Sequence, residues 1–208
     1  MEQVLDVYKM PYNADFPVVC MDESPKQLIK ETRLPLKMKP GQDKKVDFEY
    51  ERCGVCNIFM ANEPLAGKRY VEVRKTKTKK DWALFVKELA DTHYKSAIKI
   101  KLVMDNLNTH SPSALYEVFE PEEAKRVWDR YEFIYTPKHG SWLNMAEIEL
   151  NVLNKQCLSR RIDNIETVKE EVKAWRKSRN NMNAKINWQF TTTEARVKLR
   201  TLYPKLQA

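Results

Sequence analysis

The sequence predicts an α/β domain: one mixed sheet with helices on its faces. Three observations predict it. Strand-like segments come first and in succession, two of them joined by a tight turn. From about residue 80 onward, strand-like and helix-like segments alternate. Two of the apolar strand runs also stop at an aspartate, Asp22 and Asp105, as buried strands do where they reach a polar site.

Val18-Val19-Cys20-Met21 is an apolar run ending at Asp22, a buried strand with an acid at its C-terminal end. Residues 32–45 hold Pro35, Pro40, Gly41 and several lysines, and form a loop. Residues 48–61 and 69–73 are strands, and the turn at 62–67 between them makes the pair antiparallel. In residues 80–94, Trp82, Phe85, Val86, Leu89 and Ala90 recur at helical spacing. Residues 98–104 form the strand that ends at Asp105; Lys99 and Lys101 alternate with apolar residues, so one face is partly wet at its start. Residues 112–119 and 121–130 are short helices, each opening near a proline. Residues 131–135 are the fifth strand, and 142–158 and 165–181 are helices. Thr191 and Glu194 make a capping box for a last helix that runs to about residue 202.

The 208 residues suffice for one large domain with a real core. No apolar run is long enough to cross a bilayer, and residues 1–15 lack the basic-then-apolar order of a signal peptide. The reading is therefore a cytoplasmic protein with no membrane partner, whose four cysteines, Cys20, Cys53, Cys56 and Cys157, stay free thiols. Cys53 and Cys56 form a CxxC, but a structural zinc site needs two further ligands at metal spacing; small thiols buried on a strand are the simpler reading. The net charge of +8 admits polyanions as partners, and serves solubility equally well.

Two strands that each end in aspartate bring carboxylates together, where they repel unless a cation neutralises them. Oxygen ligands select hard divalent ions, magnesium or manganese. For either aspartate alone, capping a following turn is the commoner role. A third acid can come from the helix after Ser141. Glu147 and Glu149 point about 200° apart around the axis, so both cannot face one site. Asn144, Glu147, Asn151 and Asn154 share a polar strip beside Leu143, Ala146, Leu150, Leu153 and Cys157. That favours Glu147 as the ligand and leaves Glu149 a surface role, although Glu147 also suits an ordinary solvated face.

Three blocks carry a resemblance: Val19-Cys20-Met21-Asp22-Glu23, the run from Val103 through Asp105-Asn106 to His110, and the run from Tyr135 through Lys138-His139-Gly140-Ser141-Trp142-Leu143-Asn144 to Glu147. Together they resemble the catalytic blocks of bacterial insertion-sequence DDE transposases of the mariner superfamily. The likeness extends to Asn187-Trp188-Gln189-Phe190-Thr191. Many relatives have proline where Met145 stands, and the interval of 42 positions from Asp105 to Glu147 (147 − 105) is longer than usual, with residues 121–130 as an extra helix.

The resemblance implies a ribonuclease H-like mixed five-stranded sheet flanked by helices, with Asp22, Asp105 and Glu147 as catalytic acids and ligands of two Mg2+ or Mn2+ ions. It implies metal-dependent DNA cleavage and strand transfer during transposition, by a bacterial, nucleoid-associated protein. The partners are transposon ends and target DNA, and a second copy in a homodimer. Asn106, His110 and Asn144 support the ligands. Lys138, His139, Trp142, Arg160 and Arg161 are the candidate DNA contacts, with Lys37, Lys39, Lys44 and Lys45 in the long loop; for each lysine and arginine a solvated surface role is as good a reading, for His139 a hydrogen-bonded structural role is the simpler one, and for Trp142 a place in the core is. The expected division is residues 1–160 as the catalytic domain and 161–208 as a helical extension, with the family's N-terminal helix-turn-helix region absent. A non-transposing ribonuclease H-like nuclease, or an inactive DNA-binding or dimerisation remnant, are the rivals.

Overall fold

The computed structural model describes residues 1–203 except Leu34, Lys44, Val46, Asn108, Thr109 and His139, and of Leu202 the backbone only. Its strands are β1 (Val18–Glu31), β2 (Tyr50–Glu63), β3 (Lys68–Arg74), β4 (Ile100–Met104) and β5 (Tyr131–Tyr135). They form one sheet in the order β3-β2-β1-β4-β5. β2 runs antiparallel to β1 and β3, whereas β4 is parallel to both β1 and β5. This mixed sheet flanked by helices is the α/β arrangement that the sequence predicts.

Strand side chains alternate between faces, and the apolar residues fill both. Val19, Met21, Phe59, Ala61, Leu102 and Met104 enter one cluster with Trp82, Phe85 and Leu89 of α2 (Lys79–Glu88) and its continuation. α3 (Pro112–Tyr116) and α4 (Pro121–Asp129) complete that layer through Leu115 and Val127. The intervening residues Cys20, Ile58, Met60 and Val103 enter the opposite cluster. There they meet α1 (Glu2–Tyr8), α5 (Met145–Leu153), α6 (Ile165–Asn181) and α7 (Thr192–Lys198). The segment from residue 161 onward therefore joins a shared core, through Ile162, Val168, Val172 and Ala195.

Four local features differ from the sequence reading. β1 does not stop at Asp22 but runs on to Glu31, because β2 stays paired with it. What ends there is the pairing with β4, last made at Cys20↔Val103. The helix expected over 142–158 is in three pieces: a 3-10 turn at Ser141–Leu143, α5, and a wider π turn at Asn154–Leu158. A similar π turn, Leu89–His93, closes the helix begun by α2. α1 was not foreseen; it has only seven residues and no side-chain cap, and it is held by burying Val4, Leu5, Val7 and Tyr8. Lys101, expected on a wet face, is largely buried and paired with Glu132 of β5.

The turn between β2 and β3 needs Gly67. Its φ is +65°, and a Cβ there would stand 2.7 Å from the backbone of Asn183. That close approach locks the sheet edge to the end of α6. Across it, the Asn180 side chain accepts from the Arg69 amide at 2.8 Å and donates to the Arg69 carbonyl at 2.9 Å.

Candidate active site

Asp22 and Asp105 lie at the ends of neighbouring strand pairings. β1 and β4 are in parallel register at Cys20↔Val103, and each acid lies two residues further along its chain. Two residues preserve side-chain parity, so Asp22 lies on the face of Cys20, the face that α5 covers. The Asp22 Oδ1 accepts a 2.7 Å hydrogen bond from the Glu23 amide. Burial, helped by the fields of Asp105 and Glu147, pushes the Asp22 carboxyl up to about 7, against the pull of that amide and of His110. The charges of Asp105 and Glu147 thus both reach Asp22 and add to the effect of its burial.

His110 is buried between two carboxylates. Its Nε2 lies 3.1 Å from Glu23 Oε1 and its Nδ1 lies 2.6 Å from Asp105 Oδ1. The Nδ1 contact is an ion pair rather than a well-directed hydrogen bond: Asp105 Oδ1 is otherwise without a hydrogen-bond partner, and Nδ1 also faces the Asp105 carbonyl at 3.4 Å. With an acceptor at each nitrogen, the ring is held as an imidazolium. Burial opposes that charge, but Asp105 and Glu23 outweigh it and hold the ring's pKa up at about 9. Trp82 stacks on the ring at 5.7 Å, and the Tyr135 hydroxyl donates to the His110 carbonyl at 3.0 Å. His110 therefore links the Asp105 and Glu23 carboxylates. Glu23, a residue the motif reading left without a role, completes the support; it points to the opposite face from Asp22 because it is the next residue on the strand.

Asn144 joins the third acid to β1. It is the buried N-cap of α5: its Oδ1 accepts from the Ala146 amide at 3.1 Å, and its Nδ2 donates to the Met21 carbonyl at 2.7 Å. The cap sets the start of α5 beside the residue that precedes Asp22, and Glu147 follows in the first helical turn. Tyr8 supports the same junction by donating to the Leu143 carbonyl at 2.7 Å. Glu147 is half-buried and, among the described residues, its carboxylate has no hydrogen-bond or ion-pair partner.

Glu149 corrects the surface role expected for it. Its side chain is fully buried and accepts 2.8 Å bonds from both Nε and Nη2 of Arg69, with Arg179 at 3.1 and 3.3 Å. Burial alone raises a carboxyl, but the two guanidiniums override it and hold Glu149 below the usual range. A helical wheel places Glu149 away from Glu147 correctly; it does not show that β3 and α6 lie on that side with two arginines.

The remaining expected residues are not all gathered at the site. Asn106 and Lys138 are exposed, and His139 lies outside the described residues, as does Lys44. Trp142 is 44% exposed rather than in the core, with the Phe190 ring edge-on at 5.8 Å. Arg160 pairs with Glu171. Arg161 pairs with Glu31, donates to the Asp47 carbonyl at 2.8 Å and lies over the Tyr50 ring, so it braces the β1–β2 arm. Cys53 and Cys56 are free thiols on β2.

Among the described residues, no group of three His, Cys, Asp or Glu side chains is disposed to hold a metal ion as it stands. The donor chemistry nonetheless fits a hard divalent cation. The Asp22 carboxyl is raised to about 7, chiefly by burial and further by the charges of Asp105 and Glu147, and the Glu147 carboxylate is unengaged among the described residues. Asp22, Asp105 and Glu147 would be the ligands. No helix among the described residues is long and apolar enough to cross a membrane.

The fold is similar to that of solved transposase complexes. The Mos1 mariner paired-end complex with Mn matches with a TM-score of 0.60 at 16% identity, over 88% of this chain and 54% of that one. The Mos1 strand transfer complex matches with a TM-score of 0.60 at 15% identity, over 88% of this chain and 53% of that one. The mariner Mos1 paired-end complex with Mg matches with a TM-score of 0.59 at 18% identity, over 98% of this chain and 61% of that one. At these identities the likeness establishes the ribonuclease H-like fold, and the chain spans little more than half the length of the proteins it matches. A comparison with curated proteins finds no match. The family model described as DDE superfamily endonuclease matches residues 17–169, from the first residues of β1 to beyond α5 and so across all three acids, and the chain belongs to that family.

Proposed function

We propose that this chain is the catalytic domain of a transposase that cuts DNA phosphodiester bonds and joins the freed 3′ ends to target DNA. The carrying observation is the placement of Asp22 and Asp105 each two residues beyond the last β1–β4 pair, Cys20↔Val103, with the field of Glu147 reaching Asp22. Membership of the endonuclease family and the fold shared with the Mos1 strand transfer complex support the reading.

Two Mg2+ or Mn2+ ions, when bound, supply activation of water or a DNA 3′-hydroxyl and stabilisation of the leaving oxygen in an in-line displacement. The chain's own part is positioning. Asp22 and Asp105 are ligands fixed on adjacent strands, and Glu147 is the ligand delivered by α5. Asn144 sets the distance from α5 to β1. The Glu23–His110 pair holds the Asp105 carboxylate and balances its charge without displacing it as a donor. Residues 1–160 carry the catalytic elements, with 161–208 as a helical extension that braces α5. The partners are transposon-end and target DNA, and a second copy of the chain, in line with the paired ends named for the Mos1 complexes.

Nicking of supercoiled plasmid in Mn2+ tests the chemistry without knowledge of the terminal sequences. Wild type and Glu170→Gln, a change at an exposed position of α6, are expected to nick, and Glu147→Gln to fail while remaining folded. Equal nicking by all three proteins would remove Glu147 from the site. Joining of a pre-cut 3′ end to the plasmid then separates transposition from simple hydrolysis.

A further inference from the structure

A groove of about 410 Å3 lies beside the candidate active site, between the chain that follows α1 and the segment that leads into α7. Tyr12, Trp188 and Phe190 line it, together with Lys9, Lys185 and Asn187, and no carboxylate is among the described residues of its walls. Tyr12 is 57% exposed. Lys9 and Lys185 are exposed, and among the described residues neither has an acidic partner. In contrast, most lysines and arginines of α4 and α7 are tied to carboxylates.

One end of the groove reaches the catalytic elements. Phe190 meets the half-exposed Trp142, which stands in the 3-10 turn immediately before α5. Tyr8, another lining residue, holds that turn through the Leu143 carbonyl and packs on Trp188 with ring centroids 5.3 Å apart. Lys198, itself paired with Glu194, lies over the Phe190 ring at 5.7 Å.

The open face of Tyr12 next to unpaired Lys9 and Lys185, with no carboxylate among the described lining residues, matches a strand that is anionic along its backbone and offers flat π faces. A duplex has the charge but keeps its base faces stacked inside. We infer that this groove binds single-stranded DNA, holding the unpaired nucleotides next to the bond being cut, with Tyr12 as the stacking surface and Lys9 and Lys185 as phosphate contacts. The inference rests on the proposed DNA-cutting function and assigns a place for one strand of its substrate.

The test is fluorescence anisotropy of the full chain with a labelled oligothymidine of roughly 12 nucleotides, a length within the range one such site covers. It is run in EDTA beside a duplex of the same length. Tyr12→Ala is expected to weaken single-strand binding about 5-fold or more, with duplex binding little changed. Lys185→Gln is expected to weaken it and to lower the salt dependence by about 0.7 in log-log slope. Lys173→Gln, at an exposed position of α6, is expected to behave as wild type. Wild-type affinity in both Tyr12→Ala and Lys185→Gln would overturn the inference, as would equal losses for single strand and duplex. Because no metal is present and no cleavage is read, failure here leaves the Glu147→Gln nicking result standing, and the reverse also holds.

Discussion

Glu149 and Arg69 form a two-pronged ion pair, with Nε and Nη2 each 2.8 Å from a carboxylate oxygen and the two side chains 0% and 1% exposed. It joins the helix that carries Glu147 to the edge strand β3, and Arg179 extends it to α6. Arg69 also donates to the Gly67 carbonyl at 2.8 Å, so its charge is spread over several acceptors. The pair therefore acts as a brace behind the candidate ligand, two residues from it in sequence and on another side of the helix.

Removing one partner of such a pair leaves a buried charge without compensation. Glu149→Ala is expected to cost about 3–5 kcal/mol of stability, read in a urea titration. The double change Glu149→Leu with Arg69→Met removes both charges and should recover much of that loss. Recovery of nothing would mean that packing, not charge, holds α5 to β3. Glu149→Ala is for the same reason unsuitable as a neutral control in cleavage assays.

The brace also gives stability an acid limb. The Glu149 pKa is depressed in the folded protein by Arg69 and Arg179, against burial. Its contribution is thus fully present above the ordinary carboxylate value near 4.5 and is lost as pH falls through the depressed one. In wild type, stability should fall more steeply below that value than in the Glu149→Leu, Arg69→Met double variant. Parallel curves would show that the pair does not titrate as proposed.

His110 gives a limb of opposite sign. Its folded-state pKa is raised to about 9 by Asp105 and Glu23 over the opposing effect of burial. Its stabilisation is fully present below the unfolded value near 6.5 and disappears as pH rises through about 9. Glu23→Gln keeps the shape of the contact and removes one of the two charges. NMR titration of the metal-free protein should then show the imidazole releasing its proton at lower pH than in wild type. Support for a ligand of this kind is typically worth 10–100-fold in metal affinity or activity, roughly the loss expected in nicking. An unchanged imidazole titration would remove Glu23 from the arrangement.

Asp22 stores repulsion. Burial first, and then Asp105 and Glu147, raise its carboxyl to about 7, so in the metal-free protein its ionised form becomes destabilising as pH climbs from 3.8 towards that value. At pH 8, Asp22→Asn should raise the melting temperature without metal, at about 2–4 °C per kcal/mol for a chain of this length. It should also abolish nicking and remove the stabilisation that Mg2+ gives to wild type. A lower melting temperature would show that the Asp22 charge is already compensated in the free protein.

Much of this was legible because the relevant signals are local. The alternation Val19, Cys20, Met21 assigns side chains to two faces, and Asp22 continues it, so the first acid's direction follows from the strand alone. The Asn144–Glu147 strip is likewise visible on one helix, although its meaning as an N-cap tied to Met21 needs the neighbouring strand. Other features depend on pairs far apart in the chain. Arg69 and Glu149 are 80 positions apart, and nothing near Glu149 distinguishes a solvated acid from a paired one. Trp142 reads as a core aromatic because large apolar residues are usually buried, yet it stands 44% exposed with only the Phe190 ring edge-on to it among the described aromatic neighbours. The continuation of β1 beyond Asp22 is not legible in the sequence because the run from Glu23 to Lys26 is polar and carries Pro25, yet pairing with β2 sustains it.

Asn144 makes the last separable contribution, because its two hydrogen bonds can be broken one at a time. Asn144→Asp keeps an oxygen for the Ala146 amide, so the helix cap survives, but it places an acceptor against the Met21 carbonyl where a donor stood. Asn144→Ala loses both bonds, and loss of the cap alone costs about 0.5–2 kcal/mol. If the asparagine serves chiefly to hold α5 at the right distance from Asp22, both variants should lose nicking activity, and Asn144→Asp should do so with the smaller loss of helix stability. If it serves only the helix, Asn144→Asp should nick as wild type does. Comparing nicking rates with melting temperatures across the two variants separates positioning of Glu147 from simple capping of the helix that carries it.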